Sequence, residues 1–460
     1  MRWLPLLILL LSACSPPTPQ LQQPPAAPPS YSLTAVATAE QLPDRWWRDF
    51  GDAALNRLQQ RMFSANLELR QALQRLKQLQ ASAQRQQSKR RPTLNLQGDL
   101  SRDSSPGVAG NSRSTRASLS LAAAYEIDLW KRLEQQEKAA NLRLEAGRQD
   151  VQSLLLSLSA QLAEQYFLAV EQRAQLDLLE RQARYNRDLL KIISARYRSG
   201  LATAVEVYRA RQNLAALESR RPQFRSSLIQ AENAIALLLG EAPGQTRVEQ
   251  QELPLLQTPA RIGLPADLLI RRPDLKAALL ELQAADHDLA AALAAQLPAV
   301  KLSATLGRSL TRLSSGDIDG TLWNLVLGLT QPLLDGGLRQ AESDRQRALR
   351  AEQLATWQSI LLSALRDVEN AYKTELESAE QARLLDHQLQ LNQQTLALAR
   401  SSYLAGLSDS RDLLNNRIAQ LDIRSQQLSN QRQWLSRRIS LARALGGGWM
   451  DTELEELQSR

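Results

Sequence analysis

PTLNLQGDL at 92–100 and LSLAAAYEIDL at 119–129 decide the fold, because both place apolar residues at every second position. Leu94, Leu96, Gly98 and Leu100 alternate with Asn95, Gln97 and Asp99. Leu119, Leu121, Ala123, Tyr125, Ile127 and Leu129 alternate with Ser118, Ser120, Ala122, Ala124, Glu126 and Asp128. A period of two is the strand signal, since successive side chains of an extended chain point to opposite faces. The polar, Ser/Gly/Asp-rich stretch 101–114 reads as the loop between them. Residues 93–129 are therefore expected to form a β-hairpin with one apolar face.

The same pattern returns 206 residues later. Pro92 recurs as Pro298, Tyr197 as Tyr403, Gly200 as Gly406 and Gly240 as Gly446, all at that spacing. Leu69, Ala72, Leu73 and Leu76 recur as Leu275, Ala278, Leu279 and Leu282. One undrifting offset marks a tandem duplication, read as 46–245 and 246–450 with a tail over 451–460. The second hairpin falls at 299–334, where Val300, Leu302, Ala304 and Leu306 alternate with Lys301, Ser303, Thr305 and Gly307. Its other strand, Trp323 to Leu333, carries Leu322 and Val326 on the alternate face, so its period is weaker. Residues 311–320 read as its loop.

Each half opens with a helix-like stretch, 53–90 or 266–296, stopped by Pro92 or Pro298. Proline removes an N–H and clashes with the preceding turn. After each hairpin a very long helical pattern runs through 131–198 or 338–403 without an interior proline. Val151, Leu155, Leu158 and Leu162 keep one stripe in the first, and Trp357, Leu361, Leu365 and Val368 in the second. At 1.5 Å per residue such helices are about 100 Å long. Each turns at Gly200 or Gly406 and returns to Gly240 or Gly446, a glycine just past a helix end being the usual left-handed stop.

Strands of about ten residues with one apolar face have the length of membrane-crossing strands. Four cannot cross a bilayer alone, because open edges leave backbone groups unpaired in hydrocarbon at several kcal/mol each. Two, three or four copies would close barrels of eight, twelve or sixteen strands, with the polar face lining water. The expected fold class is thus a membrane β-barrel plus a long α-helical barrel, with tandem-duplicated halves and four transmembrane strands per chain.

Composition agrees. Among 460 residues, Lys and Arg number 56 against 48 Asp and Glu, and aromatics are only 4%. The charges are interleaved rather than gathered into a basic stripe with aromatics between, which argues against a nucleic-acid partner. Arg2, the apolar run Leu4 to Leu11 and Ser12-Ala13-Cys14 read as a secretory signal over 1–13, too short to span a membrane. LSAC at 11–14 resembles the bacterial lipobox, in which the lipidated, palmitate-bearing cysteine becomes the first mature residue; Cys14 is the chain's single cysteine. By resemblance to the sorting rule of Gram-negative lipoproteins, Ser15 rather than Asp favours the outer membrane. Residues 14–45, rich in Pro and Gln, read as a lipid-anchored tether that buries no core.

WWRDFGDAALNRL at 46–58, LPADLLIRRPDLKAAL at 264–279 and QPLLDGG at 331–337 resemble the NodT/OprM branch of TolC-type outer-membrane factors. The resemblance covers nearly the whole mature chain. It implies a homotrimer with a twelve-strand barrel and a periplasmic coiled-coil tunnel. It implies a passive efflux duct for small molecules, fed by a periplasmic adaptor (membrane fusion protein) and an inner-membrane transporter. No cofactor and no enzymatic activity are implied, the only attached group being the lipid on Cys14. The family's acidic periplasmic gate falls on Glu206 in the first turn and Asp412 in the second. A second gate acid of some members falls on Asn415 here, a departure for which nearby Asp409 is a candidate substitute. Tyr403 matches a tyrosine that holds the closed state in some relatives. In RRPD, Pro273 is expected to break a helix, Asp274 to cap the next, and Arg271 and Arg272 to hold neighbouring carbonyls or carboxylates.

No catalytic constellation is present: there is no phosphate-binding glycine loop, dinucleotide fingerprint or metal-ligand spacing. His287 and His387, beside aspartates in helical runs, are expected on solvated faces. Three methionines give no support to a soft-metal path. The rival reading is a lipid-anchored periplasmic coiled-coil adaptor or scaffold without a channel.

Overall fold

The computed structural model describes residues 45–107, 110–250, 252–256, 271–313, 316–408, 410–447 and 449–458. Cys14 with its tether up to residue 44, all of 264–270 before RRPD, and Asp409 lie outside them. The chain folds as two compact units.

The first unit holds Arg75–Arg148 and Lys276–Ser359. At its centre is one antiparallel sheet of β1 (Thr93–Gly107), β2 (Gly110–Ile127), β3 (Ala299–Leu313) and β4 (Gly316–Thr330), paired in chain order. The register sets like on like. Leu96 pairs with Leu121, Leu121 with Leu306 and Leu306 with Trp323, one apolar row across all four strands. The row on the opposite face one step away is Asn95, Ala122, Thr305 and Asn324. A one-residue slip would exchange the faces, so the alternation itself fixes the register. Gly307 opposes Ser120, where an added Cβ would lie 2.5 Å from the Leu119 carbonyl oxygen. That contact is with backbone, which cannot move aside.

The strands run further than expected. Residues 101–107 and 110–114, read from composition as loop, are ladder, as are 311–313 and 316–320. Polar composition alone does not tell a ladder from a loop; the cross-strand pairing does. Arg308 holds Asp319 through two hydrogen bonds of 3.0 and 2.6 Å, and Arg312 holds Asp317 at 3.3 Å. β4 ends at Thr330 rather than at Leu333, because Pro332 has no N–H to give a ladder. His287, expected on a solvated face, is half-buried with Nδ1 against Gln135 Oε1, and desolvation lowers its pKa. His387 is exposed, as expected.

Helices alternate with the hairpins: α1 (Ala53–Ala65), α2 (Leu67–Ser88), α3 (Arg132–Arg198), α4 (Ala204–Leu238), α5 (Pro273–Ala294), α6 (Leu338–Leu404), α7 (Ser410–Leu445) and α8 (Trp449–Gln458). α2, β1 and α3 recur 206 residues later, residue for residue, as α5, β3 and α6. The stretch 53–90, expected as one helix, is broken at Asn66. Its side chain accepts from Leu69 N at 2.8 Å, capping α2, and donates to the Leu238 carbonyl at 2.8 Å.

The second unit holds the remaining described residues. Its aromatic knot joins the two ends of the fold. Trp47 stands edge-on to Trp449 with centroids 4.7 Å apart, and Phe50 to Phe167 at 5.1 Å, within the favoured range for edge-to-face pairs. Asp52 caps α1 by accepting from Ala54 N at 2.8 Å and Leu55 N at 3.0 Å, and it accepts the Tyr166 hydroxyl at 2.7 Å. Burial, then that carboxylate, pushes the Tyr166 phenol well above its ordinary pKa. Further along, Glu375, fully buried, takes Arg438 at 2.6 Å. Glu171 takes Arg432 at 2.9 Å and the Ser429 hydroxyl at 2.7 Å.

The duplication reappears as a repeated close approach. Gly240 (φ +68°) lies against the Ala65 carbonyl, and Gly446 (φ +71°) against the Arg271 carbonyl; a Cβ at either would sit 2.8 Å from that oxygen. Beside the second contact, Arg272 donates to the Ala444 carbonyl at 3.2 Å, the counterpart of Asn66 on Leu238. Arg272 also holds Asp274 through two bonds, 3.0 and 2.6 Å. Asp274 is not the cap residue expected. Pro273 is the first residue of α5, so Asp274 sits inside the first turn and accepts from Leu275 N at 2.9 Å. A proline at the first helical position costs no hydrogen bond, which moves the cap position to Arg272.

Gly307→Val is expected to abolish the folded sheet, whereas Gly320→Val, with open space at its Cβ, is tolerated; heat-dependent gel mobility in detergent distinguishes them. Asp52→Ala removes the α1 cap and orphans the Tyr166 hydroxyl. It is expected to cost about 1–2 kcal/mol, read as a lowered melting midpoint of the detergent-solubilised protein.

Candidate functional site

Two surfaces carry functional chemistry, one in each unit. The first is the sheet. Its apolar face is bare: Leu94, Leu96 and Leu100 are about two-thirds exposed or more, and Trp323 is 75% exposed. A soluble protein does not leave so large an apolar face in water. The other face carries Asn95, Gln97, Asp99, Ser118, Ser120, Ser303, Thr305 and Asn324. β1 and β4 each keep one row of backbone donors and acceptors unpaired among the described residues. An apolar outside, a polar inside and two open edges are the parts of an incomplete membrane barrel.

The second surface is the pair of turns between the long helices. Leu201 N bonds the Arg196 carbonyl at 2.8 Å and Gly200 N that of Tyr197 at 3.0 Å; Leu407 bonds Ser402 at 2.9 Å and Gly406 bonds Tyr403 at 3.1 Å. Gly200 and Gly406 have φ of +72° and +75°. These are paired Schellman closures, which satisfy the last helical carbonyls and reverse the chain at a residue without a Cβ.

The gate residues inferred from resemblance fall at these turns. Glu206 and Asp412 occupy duplicated positions in the first turns of α4 and α7. Glu206 completes a capping box with Thr203: its carboxylate accepts from Thr203 N at 2.9 Å and Thr203 Oγ1 from Glu206 N at 3.4 Å. Asp412 and Asn415 are exposed, and the Asp412 carbonyl accepts from Asn416 Nδ2 at 2.8 Å. Tyr403 stands apart from them. It is 3% exposed, packed with Leu396, Val207 and Leu413, and the Arg196 guanidinium lies 4.8 Å over its ring. Its hydroxyl has no hydrogen-bond partner among the described residues. Burial raises its pKa, the Arg196 charge opposing and the Glu206 charge adding.

Sequence reading missed three features here. Thr203-x-x-Glu206 before an apolar run is a legible capping box. The stacking of Arg196 on Tyr403, and of Arg417 over Tyr185 at 4.1 Å, joins residues far apart in the chain and leaves no local signal. Among the described residues no cluster suited to a metal ion occurs, and no helix is long and apolar enough to cross a membrane.

The family model described as outer membrane efflux protein matches residues 58–241 and 264–447, two stretches separated by the same 206 residues. The chain belongs to the outer membrane efflux protein family. The pyoverdine export outer membrane protein OpmQ of Pseudomonas putida is 30% identical over 459 residues, covering 97% of each chain. The cation efflux system protein CusC of Escherichia coli is 27% identical over 458 residues, 96% of this chain and 97% of its own. The solved outer-membrane channel OprN superposes with a TM-score of 0.87 at 26% identity, over 95% of this chain and all of its own. The family fold is the TolC type: a membrane β-sheet and long helical hairpins in tandem halves. This chain is accordingly an outer-membrane efflux channel protein of a Gram-negative bacterium, a family of passive channels rather than of enzymes. These relatives are efflux channels, which fits the channel reading and not that of a scaffold without a channel.

Tyr403→Phe is expected to leave the folded protein within about 0.5 kcal/mol of the parent, because the ring keeps its packing and its arginine. Tyr403→Ala opens a cavity worth about 3–5 kcal/mol. Thermal melting in detergent separates the two.

Proposed function

We propose that three copies close their sheets edge to edge into a twelve-strand barrel, continued by the helical hairpins as a periplasmic tunnel. The observation that carries this reading is the four-stranded sheet with one bare apolar face and two unpaired edges. Edge closure is the only way to satisfy those backbone groups in hydrocarbon. The polar strand face then lines a water-filled pore.

The mature chain begins at Cys14, whose lipid anchors it to the inner leaflet of the outer membrane through the tether over 14–45; the two repeats span 46–245 and 246–450, with 451–460 as tail. No other attached group or cofactor takes part. Energy comes from an inner-membrane transporter, delivered through a periplasmic adaptor that meets the helix turns. OpmQ is named for pyoverdine and CusC for cations at similar identity, so likeness to relatives selects no cargo. The duct carries small molecules chosen upstream.

The turns form the gate. Glu206 and Asp412, one from each repeat, give a threefold assembly a ring of six carboxylates, with Asn415 next to the second; Asp409, the further candidate, lies outside the described residues. Such a ring favours cations and narrows the resting pore. Tyr403 acts from behind this ring, holding the two hairpins of one chain together.

Native mass spectrometry of protein extracted from outer membranes tests the assembly. Three mature chains, each with acyl mass that disappears in Cys14→Ser, are expected; a single chain that needs no detergent overturns the barrel. For the gate, Asp412→Ala is expected to raise single-channel conductance and vancomycin entry several-fold. Unchanged values in both Asp412→Ala and Glu206→Ala would remove the carboxylate ring from the mechanism.

A further inference from the structure

The apolar face of the sheet changes character along its length. Helices α2, α3 and α5 join the strands at the Thr93, Ile127 and Ala299 ends. The hairpin ends, at Gly107 and Leu313, therefore point away from the periplasmic helices and toward the exterior. Near the helices this face is uncharged, with Leu94, Tyr125, Val300, Leu302, Leu327 and Leu329 on it. Toward the hairpin ends the same face turns basic.

The register places the charges. Arg102 opposes Thr115, Thr115 opposes Arg312, and Arg312 opposes Asp317, one row across all four strands. That row lies six residues beyond the row of Leu96, Leu121, Leu306 and Trp323. An even step keeps the same face. Arg113, opposite Ser104, and Arg308, opposite Leu119, share it by the same count. The strands hold five arginines, and four of them lie on this face; only Arg116 lies on the polar one. No lysine lies on the apolar face, Lys301 being on the other.

Leucines are interleaved with these arginines. Leu310 lies between Arg308 and Arg312 on β3, and Leu100 precedes Arg102 on the same face of β1. Arginines among lipid-facing leucines belong at headgroup depth, where the stem covers apolar surface and the charge stays at the polar boundary. Arg308 takes this posture. It opposes Thr321, yet its guanidinium reaches Asp319, two residues nearer the hairpin end, at 3.0 and 2.6 Å.

Two of the four arginines are already neutralised, Arg308 by Asp319 and Arg312 by Asp317. Arg102 and Arg113 are exposed and have no ion-pair partner among the described residues. They are diagonal neighbours across β1 and β2. Diagonal residues of an antiparallel pair stand about 7–8 Å apart, a span that one phosphate bridges between two guanidinium groups.

We infer that Arg102 and Arg113, with Arg312 beside them, bind the phosphate of an outer-leaflet lipid against the outer wall of the sheet. A guanidinium fork matches phosphate oxygens two at a time, which a lysine does not. The occupant is a phosphorylated lipid and not a soluble anion, because the site continues a leucine face that acyl chains cover. A lipid supplies both halves of that surface. The site occurs at one end of the sheet, so it selects the leaflet that faces the exterior. It is built from strands of one chain and goes beyond the proposed trimer, requiring no particular number of copies.

Native mass spectrometry of the full-length, detergent-extracted protein with added bisphosphorylated lipid A tests the site. The parent is expected to hold the lipid, and Arg102→Gln with Arg113→Gln to weaken binding by about tenfold or more. Arg116→Gln, on the polar face, is expected to bind as the parent does. Heat-dependent gel mobility reports whether each variant is folded. Dephosphorylated lipid A, offered to the parent, needs no variant and is expected to bind about tenfold more weakly. Equal binding by the folded double variant, or of the dephosphorylated lipid, overturns the phosphate site, and an equal loss in Arg116→Gln overturns its assignment to this face. Phosphatidylglycerol bound as tightly as lipid A overturns the selection of the outer leaflet. The same spectra count chains. Trimers without lipid A overturn the site and leave the assembly standing, while lipid A held by single chains upholds the site and overturns the trimer.

Discussion

Unpaired backbone at the two edges of a membrane sheet is the constraint from which the rest of this molecule follows. Each edge N–H or C=O left in hydrocarbon costs several kcal/mol, more than any single side-chain contact returns. The apolar row Leu96, Leu121, Leu306 and Trp323 commits one face to lipid. Once it does, β1 and β4 must find partners outside the chain. Gly307 belongs to the same logic, since only a residue without a Cβ allows β3 to approach β2 so closely at that point.

The helical unit solves a different problem, that of keeping very long helices in register. Its stripes are narrow, and ordered polar contacts supplement them: Gln175 and Ser425 exchange hydrogen bonds of 2.9 Å in both directions. Such contacts weigh little individually but are costly to misalign when buried. The repeated approach of Gly240 to Ala65 and of Gly446 to Arg271 pins the returning helix of each repeat against the start of that repeat. The RRPD string serves this closure. Arg272 ties the end of α7 to the beginning of α5, a structural task and not a chemical one.

Duplication links fold and function. Two repeats per chain put equivalent sequence in unequal surroundings: Tyr403 is 3% exposed and its counterpart Tyr197 48%. Arg196 over Tyr403 and Arg417 over Tyr185 fasten the contact between the two hairpins of the chain, while the positions duplicated from Arg196 and Tyr185 carry Ser402 and Leu391.

Much of this was legible in residue order alone. Period-two alternation, the proline stops, the glycines at 200, 240, 406 and 446 and the 206-residue offset together determine strand faces, helix lengths, chain reversals and the tandem plan, because each rests on the geometry of a few neighbouring residues. Tertiary structure decided the rest. Where the strands end was hidden, because polar residues look like a loop until cross-strand pairing is seen. The break at Asn66 depends on the distant Leu238 carbonyl. Tyr403 read as one of several gate positions, yet it is buried in the seam under Arg196, while its twin Tyr197 stands in the open. Two tyrosines in equivalent local sequence are told apart only by what the folded chain places against them, and that is a property of packing between helices far apart in the chain.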